Sequence, residues 1–173
     1  MLSGETAIGV DPVNVVQTMA RIAERADRAF DHLAWMSELS DLRMTDTDDP
    51  DTSITDAMTQ ATARAIYELG IKTILCISGS GFTIRSMARF RPSAHILGLS
   101  ANERTVRQLT LSWGTEPIHL PEQGDIGKRV AAALVAARDQ GDVPAGELVG
   151  VLAGTDVKSR STNVLRIERV PEA

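Results

Sequence analysis

The segment Lys72–Thr83 reads KTILCISGSGFT, and it decides the fold. Its first half, Lys72–Ile77, is a short apolar run typical of a strand that is buried on both faces of a sheet. Its second half, Ser78–Thr83, is rich in glycine and serine, and a helical pattern extends from Phe82 to Phe90. A buried strand, a polar turn and a helix in this order predict one βα unit of a parallel sheet.

The same alternation of strands and helices continues on both sides of this unit. The last predicted strand alternates apolar and polar residues, as a strand at the antiparallel edge of a sheet does. The sequence therefore predicts an α/β three-layer sandwich, with a mostly parallel five-stranded sheet, an antiparallel edge strand and a preceding amphipathic helix. The remaining predicted strands are His95–Leu99, Pro117–Leu120, Glu147–Leu152 and Asn163–Val170, and the remaining helices are Ile54–Leu69, Glu103–Ser112 and Asp125–Arg138.

The N-terminal part has a different pattern. Asp11-Pro12 opens a segment in which apolar residues recur at helical spacing, which predicts an amphipathic helix from Pro12 to Leu33. The acidic stretch that follows contains Pro50 and few apolar residues, and it indicates an exposed linker. We therefore divide the chain into residues 1–44, a linker at 45–53, and an α/β domain at 54–173.

Composition and charge exclude several classes of protein. The chain has 18 basic and 23 acidic residues and a net charge of −5, which predicts no general attraction to nucleic acid or to a membrane surface. Its apolar runs are shorter than the ~18 residues that span a bilayer, and its first residues do not resemble a signal peptide. A single cysteine, Cys76, fits a reducing compartment. We expect a cytoplasmic protein.

The turn after the first strand is the strongest candidate for a binding site. Its glycines allow close approach of a ligand, its hydroxyls are donors, and the next helix presents free N–H groups and the positive end of its dipole. Phosphate is the usual occupant of such a site. A turn that only caps the helix explains the pattern about equally well. The candidate anion-binding residues are Ser78, Gly79, Ser80, Gly81, Phe82 and Thr83, and Arg85, Arg89 and Arg91 follow them.

Other motifs are weaker. The turn lacks the Gly-Lys-Ser/Thr of a Walker A loop, and Ile84 occupies the third glycine position of a dinucleotide fingerprint. A second polar loop contains Lys158 and Arg160, which are candidate supporting residues for an anion, although a solvated turn is the simpler interpretation. The three histidines are scattered, so the sequence predicts no metal site. Cys76 lies in the middle of a strand and is expected to be a buried, unreactive thiol.

Several segments together resemble pyruvate kinase along nearly the whole chain. Met1–Ala7 resembles the end of the eighth barrel strand of that family, and Pro12–Ala23 resembles the barrel helix that follows. Ile77–Arg85, continuing to Pro92, resembles the effector loop and helix of its C-terminal domain. The next helix and turn and the start of the last strand also match, at Asn102–Thr105, Arg107–Leu109, Trp113–Gly114 and Ser161–Asn163.

The resemblance implies a function for the Ser78–Thr83 loop and a context for the chain. In that family the loop is the phosphate clamp for an allosteric sugar phosphate, such as fructose bisphosphate, and the domain contributes to subunit contacts in tetramers. The family transfers phosphate from phosphoenolpyruvate to ADP with Mg²⁺ and K⁺, using groups on a barrel of about 250 residues. Ser3 and Glu5 match positions near its active-site network, and no complete catalytic set is expected in this chain.

Two functions follow from these observations. The first is a pyruvate-kinase-type regulatory domain that binds a phosphorylated metabolite, needs no cofactor of its own, and associates with copies of itself or with a separate barrel subunit. The second is a non-catalytic interaction or oligomerisation subunit with a vestigial effector loop. The resemblance keeps the second alternative open, because Phe82 stands where family members commonly have a basic residue.

Overall fold

The structure is a computed structural model that describes residues 1–43, 49–121, 124–155 and 162–172. It divides the chain into two compact units, Met1–Asp31 and His32–Ala173. Within the described residues, no helix is both long and apolar enough to cross a membrane.

The first unit contains two helices, α1 (Gly4–Ala7) and α2 (Pro12–Arg28). The Asp11 side chain accepts a hydrogen bond from the backbone N–H of Asn14 at 3.1 Å. Pro12 occupies the first turn of the helix, where backbone N–H groups have no intrahelical acceptor, so the missing N–H of proline costs no hydrogen bond. The start of α2 therefore agrees with the sequence prediction.

The end of α2 does not agree with the prediction. The helix stops at Arg28, where Ala29 donates to the carbonyls of Ala26 and Asp27, and a separate helix, α3 (His32–Arg43), follows. The predicted helix from Pro12 to Leu33 was wrong because apolar residues continue at helical spacing past Arg28, and periodicity alone cannot detect where one helix ends and the next begins.

The second unit is a five-stranded sheet with helices on both faces. The strand order is β3-β2-β1-β4-β5, and every neighbouring pair is parallel except β4 and β5, which are antiparallel. This confirms the predicted α/β fold with an antiparallel edge strand. Its remaining elements are α4 (Pro50–Leu69), β1 (Thr73–Ile77), α5 (Phe82–Arg89), β2 (His95–Ser100), α6 (Glu103–Leu109), β3 (Thr115–His119), α7 (Ile126–Asp139), β4 (Leu148–Gly154) and β5 (Thr162–Arg169).

Alternate residues of the central strands pack into two separate hydrophobic cores, one on each face of the sheet. Leu75 and Ile77 of β1 face a core closed by α7, whereas Ile74 and Cys76 face a core closed by α4, α5 and residues of α3 and α6. All five residues of β1 are buried, as expected for a strand with helices on both sides. The protein therefore has the three layers that the sequence predicted.

Helix α4 begins four residues earlier than predicted. The Asp49 side chain accepts from the Asp51 N–H at 3.3 Å and from the Thr52 hydroxyl at 2.6 Å, and Pro50 is the first helical residue. Residues 50–53, which the sequence analysis assigned to the linker, are therefore helical. The acidic composition indicated a linker, although Asp49-Pro50 is a helix start of the same kind as Asp11-Pro12.

The boundary at residue 44 stays a prediction, since residues 44–48 lie outside the described residues. Helix α3 belongs to the second unit and contributes to its core. The Met36 side chain is buried in the same core as α4 and α5, and the His32 ring and the Trp35 indole bond to the Arg91 and Arg89 carbonyls.

Candidate anion site

The strand order places the Ser78–Thr83 segment at a topological switch point. From β1 the chain runs outward through β2 and β3 on one side, and then returns to place β4 on the other side of β1. The connections after β1 and β4 therefore diverge at the carboxyl edge of the sheet, which is where open α/β sheets bind ligands. We call Ser78–Thr83 the anion loop.

Gly81 makes the sharp transition from this loop into α5. It has φ +73°, in the left-handed region that favours glycine, and no side chain caps the helix at this position. The first N–H groups of α5 have no intrahelical partner, so their partial positive charge faces the loop. A Cβ at Gly81 would lie 2.8 Å from Nη1 of Arg85 and 2.9 Å from Cγ2 of Thr105. Glycine is therefore required here by both backbone conformation and space.

The backbone of the anion loop is held by neighbouring side chains. The Gly79 carbonyl accepts from Ser100 Oγ at 3.2 Å and from Thr105 Oγ1 at 3.0 Å. The Ser80 carbonyl accepts from Nη2 of Arg85 at 3.1 Å. The loop is thus fixed by the end of β2, by α6 and by the helix that it precedes.

The Thr83 hydroxyl has a partner in the edge strand. The side chain is 4% exposed, and its Oγ1 hydrogen-bonds with Oγ1 of Thr162, the first residue of β5. The Ser80 hydroxyl accepts from the Phe82 N–H at 3.4 Å. Thr83 therefore links the start of α5 to the edge strand.

The three arginines after the loop are not gathered around it. Arg85 lies beside the loop with its guanidinium directed at the Ser80 carbonyl. Arg89 and Arg91 lie at the far end of α5, about 12 Å away at 1.5 Å per residue. The Arg91 guanidinium lies 5.7 Å from the ring centroid of Trp113, and Arg91 has φ +43°. The basic run therefore does not concentrate its charge at the anion loop.

The structure brings a different cation to this edge of the sheet. Nη2 of Arg129, in the first turns of α7, donates to the Gly154 carbonyl at 2.9 Å and the Thr155 carbonyl at 3.1 Å, at the end of β4. Its Nε is buried without a hydrogen-bond partner among the described residues. No sequence motif indicated Arg129, because only the packing of α7 over the sheet places it beside the end of β4.

The two supporting residues that the sequence predicted, Lys158 and Arg160, lie outside the described residues. The ends of their loop are tied together by Asn163, whose Oδ1 accepts from the Thr155 N–H and whose Nδ2 donates to the Thr155 hydroxyl, both at 3.0 Å. The sequence motif at Thr162-Asn163 thus has two functions in the fold, one toward Thr83 and one toward Thr155.

Cys76, His95 and His119 are titratable residues outside the anion loop. Burial raises the pKa of the Cys76 thiol well above its usual range. Among the described residues, no group of three His, Cys, Asp or Glu side chains has the arrangement of a metal site. His95 lies 3.5 Å from Glu116 at the surface, and the His119 ring lies near the Ala101 carbonyl.

Comparison with known proteins identifies the family. The profile of the family described as "Pyruvate kinase, alpha/beta domain" matches residues 56–168, which is most of the chain. This chain belongs to that family. The match includes β1, the anion loop and all of α5, so the pyruvate kinase α/β domain contains the candidate site.

The similarity to individual pyruvate kinases extends over almost the whole chain. The chain is 34% identical over 173 residues to the pyruvate kinase of Geobacillus stearothermophilus and 30% identical over 171 residues to that of Clostridium acetobutylicum. It covers 28% and 35% of the lengths of these relatives, respectively.

Solved structures show the same fold. A crystal structure of a pyruvate kinase from Cryptosporidium parvum superposes with a TM-score of 0.80 at 23% identity, over 99% of this chain and 32% of the other. A second structure from that organism gives a TM-score of 0.77 at 22% identity. At this level of identity the superpositions support the fold and not a particular ligand.

The two residues that the resemblance to pyruvate kinase links with the active-site network lie in the first unit. The Ser3 hydroxyl donates to Oε2 of Glu5 at 3.2 Å, and both side chains are exposed. Backbone N–H donation within Glu5 and the Ser3 hydroxyl together hold the pKa of Glu5 below its ordinary value. Their catalytic relevance stays a prediction.

Proposed function

We propose that this domain binds a phosphorylated metabolite at the anion loop, as the regulatory part of a pyruvate-kinase-type protein. The observation that supports it best is the location of Ser78–Thr83 at the carboxyl end of the central strand, at the switch point and at the N-terminus of α5. Backbone N–H groups and the helix dipole favour an anion at this location without a net positive chain.

The parent reaction belongs to the same proposal. The relatives are named pyruvate kinases, and we infer that this domain serves a phosphotransferase of glycolysis that exchanges phosphate between phosphoenolpyruvate and ADP with Mg²⁺ and K⁺. Its partners are then copies of itself or a separate barrel subunit, and its location is the cytoplasm.

Phe82 bears on how tightly the anion loop would bind its effector. The side chain is half-buried at the first position of α5, where family members commonly carry a basic residue. A charge-assisted hydrogen bond contributes about 1.5–3 kcal/mol, so its absence predicts weaker binding than in those members. Arg129 is a cation beside the neighbouring strand end, where it donates to the Gly154 and Thr155 carbonyls.

A ligand screen tests the proposal. Fructose 1,6-bisphosphate, other sugar phosphates, nucleotides and inorganic phosphate are added at millimolar concentration, and the melting temperature is measured. A ligand at ten times its Kd stabilises the fold by about 1.4 kcal/mol, which corresponds to a rise of roughly 3–6 °C for a domain of this size.

Gly79 offers a clean variant for this screen. It is exposed, its φ lies outside the left-handed region, and apart from its two chain neighbours no atom of the described residues lies within 4 Å of an added Cβ. Gly79→Asp introduces a carboxylate into the loop and should abolish the response, whereas Gly79→Ala should keep it. Gly81→Asp is unsuitable, because steric crowding at Gly81 would perturb the unliganded fold.

The screen also decides between the two functions. If no phosphorylated compound changes the melting temperature, or if Gly79→Asp responds as the parent does, the loop is only a helix cap. The interaction-subunit alternative then takes the place of this proposal.

A further inference from the structure

Two successive carbonyl groups in the anion loop are hydrogen-bonded by side chains. The Gly79 carbonyl accepts from the hydroxyls of Ser100 and Thr105, at 3.2 and 3.0 Å. The next carbonyl, that of Ser80, accepts from the Arg85 guanidinium at 3.1 Å. These donors belong to β2, α6 and α5, so three elements fix the orientation of two adjacent peptide groups.

The orientation of a carbonyl determines the orientation of the N–H group in the same peptide. A trans peptide is planar, and its C=O and N–H bonds point in opposite directions. The bonds to the Gly79 carbonyl therefore turn the Ser80 N–H away from Ser100 and Thr105. The bond to the Ser80 carbonyl likewise turns the Gly81 N–H away from Arg85. Successive N–H groups form an anion-binding concavity where a residue in the left-handed region follows a right-handed or turn residue, and Gly81 has the left-handed φ of +73°.

The two hydroxyl donors are buried. Ser100 is 2% exposed and Thr105 is 5% exposed. Ser100 Oγ also accepts from the Asn102 N–H at 3.2 Å, so its lone pair is used there and its proton is directed to Gly79. Buried hydroxyls that converge on one loop carbonyl indicate that the peptide orientation is specified by the fold.

We propose that Ser100, Thr105 and Arg85 are positioning residues that orient the N–H donors of the anion loop before an anion arrives. This inference rests on the proposed function, because it explains how the loop would be preorganised for its ligand. If the loop had to rotate two peptide groups when the anion binds, the conformational entropy lost in ordering them would lower the affinity.

The first test needs no ligand. Thr105→Val removes the hydroxyl and keeps the shape, and Thr105→Ser keeps the hydroxyl. Thr110→Val removes a hydroxyl at the C-terminal cap of the same helix, which within the described part of the chain donates to the Arg107 carbonyl and not to the anion loop. In ¹H–¹⁵N correlation spectra, Thr105→Val should shift the Ser80 and Gly81 amide signals. Thr105→Ser and Thr110→Val should leave both amides close to the parent.

The second test measures affinity for inorganic phosphate by calorimetry. Thr105→Val should raise the Kd about two- to tenfold, the range expected for one neutral hydrogen bond. Thr105→Ser and Thr110→Val should match the parent protein. Arg85→Ala changes an exposed side chain and should raise the Kd more than Arg104→Ala, a similarly exposed arginine on α6.

Two results would overturn the inference: unchanged Ser80 and Gly81 amides in both Thr105→Val and Arg85→Ala, or equal Kd values for Thr105→Val and Thr110→Val. If Thr105→Val does not fold, Ser100→Ala and Arg85→Ala provide the same comparison. Failure of the parent to bind any phosphate compound rejects the proposed function instead, and the amide signals still decide whether these side chains orient the loop.

Discussion

The indole Nε1 of Trp35 donates to the Arg89 carbonyl across 2.8 Å, and this bond joins α3 to the end of α5. The last carbonyls of a helix have no intrahelical partner, so Trp35 satisfies one that α5 leaves open. The helix that begins at the anion loop is therefore held at its other end by a segment 54 residues earlier in the chain.

We expect Trp35→Phe to lower the free energy of unfolding by about 0.5–1.5 kcal/mol, because it leaves the Arg89 carbonyl without this donor. Trp113→Phe is the control. Its ring contacts the Arg91 guanidinium, and phenylalanine keeps most of that contact, so the expected loss is below about 0.5 kcal/mol. Urea denaturation measures both values, and equal losses would contradict a specific role for the indole N–H.

Truncation tests whether α3 belongs to the α/β core. A variant that begins at Pro50 lacks the buried Met36 and the bonds from His32 and Trp35, whereas a variant that begins at Asp31 keeps them. The shorter variant should be less stable by at least about 3 kcal/mol, from one buried methionine and two hydrogen bonds. Identical melting temperatures would show that α3 is only an appendage.

Three glycine substitutions separate backbone strain from steric crowding. Gly79→Ala should be nearly neutral, because it has neither. Gly70→Ala, at φ +63° with open space around it, should cost about 1 kcal/mol from strain alone. Gly81→Ala adds contacts below 3 Å to the same strain and should cost more than Gly70→Ala. Thermal denaturation gives this order, and a neutral Gly81→Ala would contradict it.

Ser86 is expected to reduce stability. Its hydroxyl is buried on α5 and has no hydrogen-bond partner among the described residues. Ser86→Ala removes the unsatisfied group and should raise the free energy of unfolding by about 1 kcal/mol or more. Ser37→Ala, at an exposed helical position, controls for helix propensity, which contributes at most about 0.5 kcal/mol. Destabilisation by Ser86→Ala would indicate that the hydroxyl has a partner after all.

Cys76 predicts an alkaline limit to stability. Because burial raises the pKa of the thiol in the folded state, its contribution to stability is complete below the unfolded-state pKa of about 8.5 and decreases as pH rises above that value. Cys76→Ala should remove this part of the pH dependence between pH 8 and 11. Ellman's reagent should label the parent only at the rate at which it unfolds, and rapid labelling of the folded protein would contradict the burial.

The sequence was sufficient for the sheet because each strand of the α/β domain carries its own apolar pattern and its own turn residues. All five strands and α4 to α7 lie within a few residues of the predicted positions. Helix α3 was missed because its apolar residues continue the stripe of α2, and only contacts with Arg89 and Arg91, far along the chain, distinguish it.

The anion loop could be located from sequence, but its surroundings could not. The glycines and serines of Ser78–Gly81 form a local motif, whereas the side chains that orient it come from β2 and α6 and from Arg85, which was expected to supply charge. Thr162 and Arg129 likewise reach this edge through strand order and helix packing. Such contacts depend on the assembled sheet and leave no signal at a fixed spacing.

The hydrogen bond between Thr83 and Thr162 spans 79 residues, and this separation has a consequence for protein synthesis. During translation the loop and α5 leave the ribosome before Thr162 does, so the start of α5 acquires its contact with the edge strand only after β5 begins to emerge. A nascent chain that stops before Thr162 therefore lacks this contact.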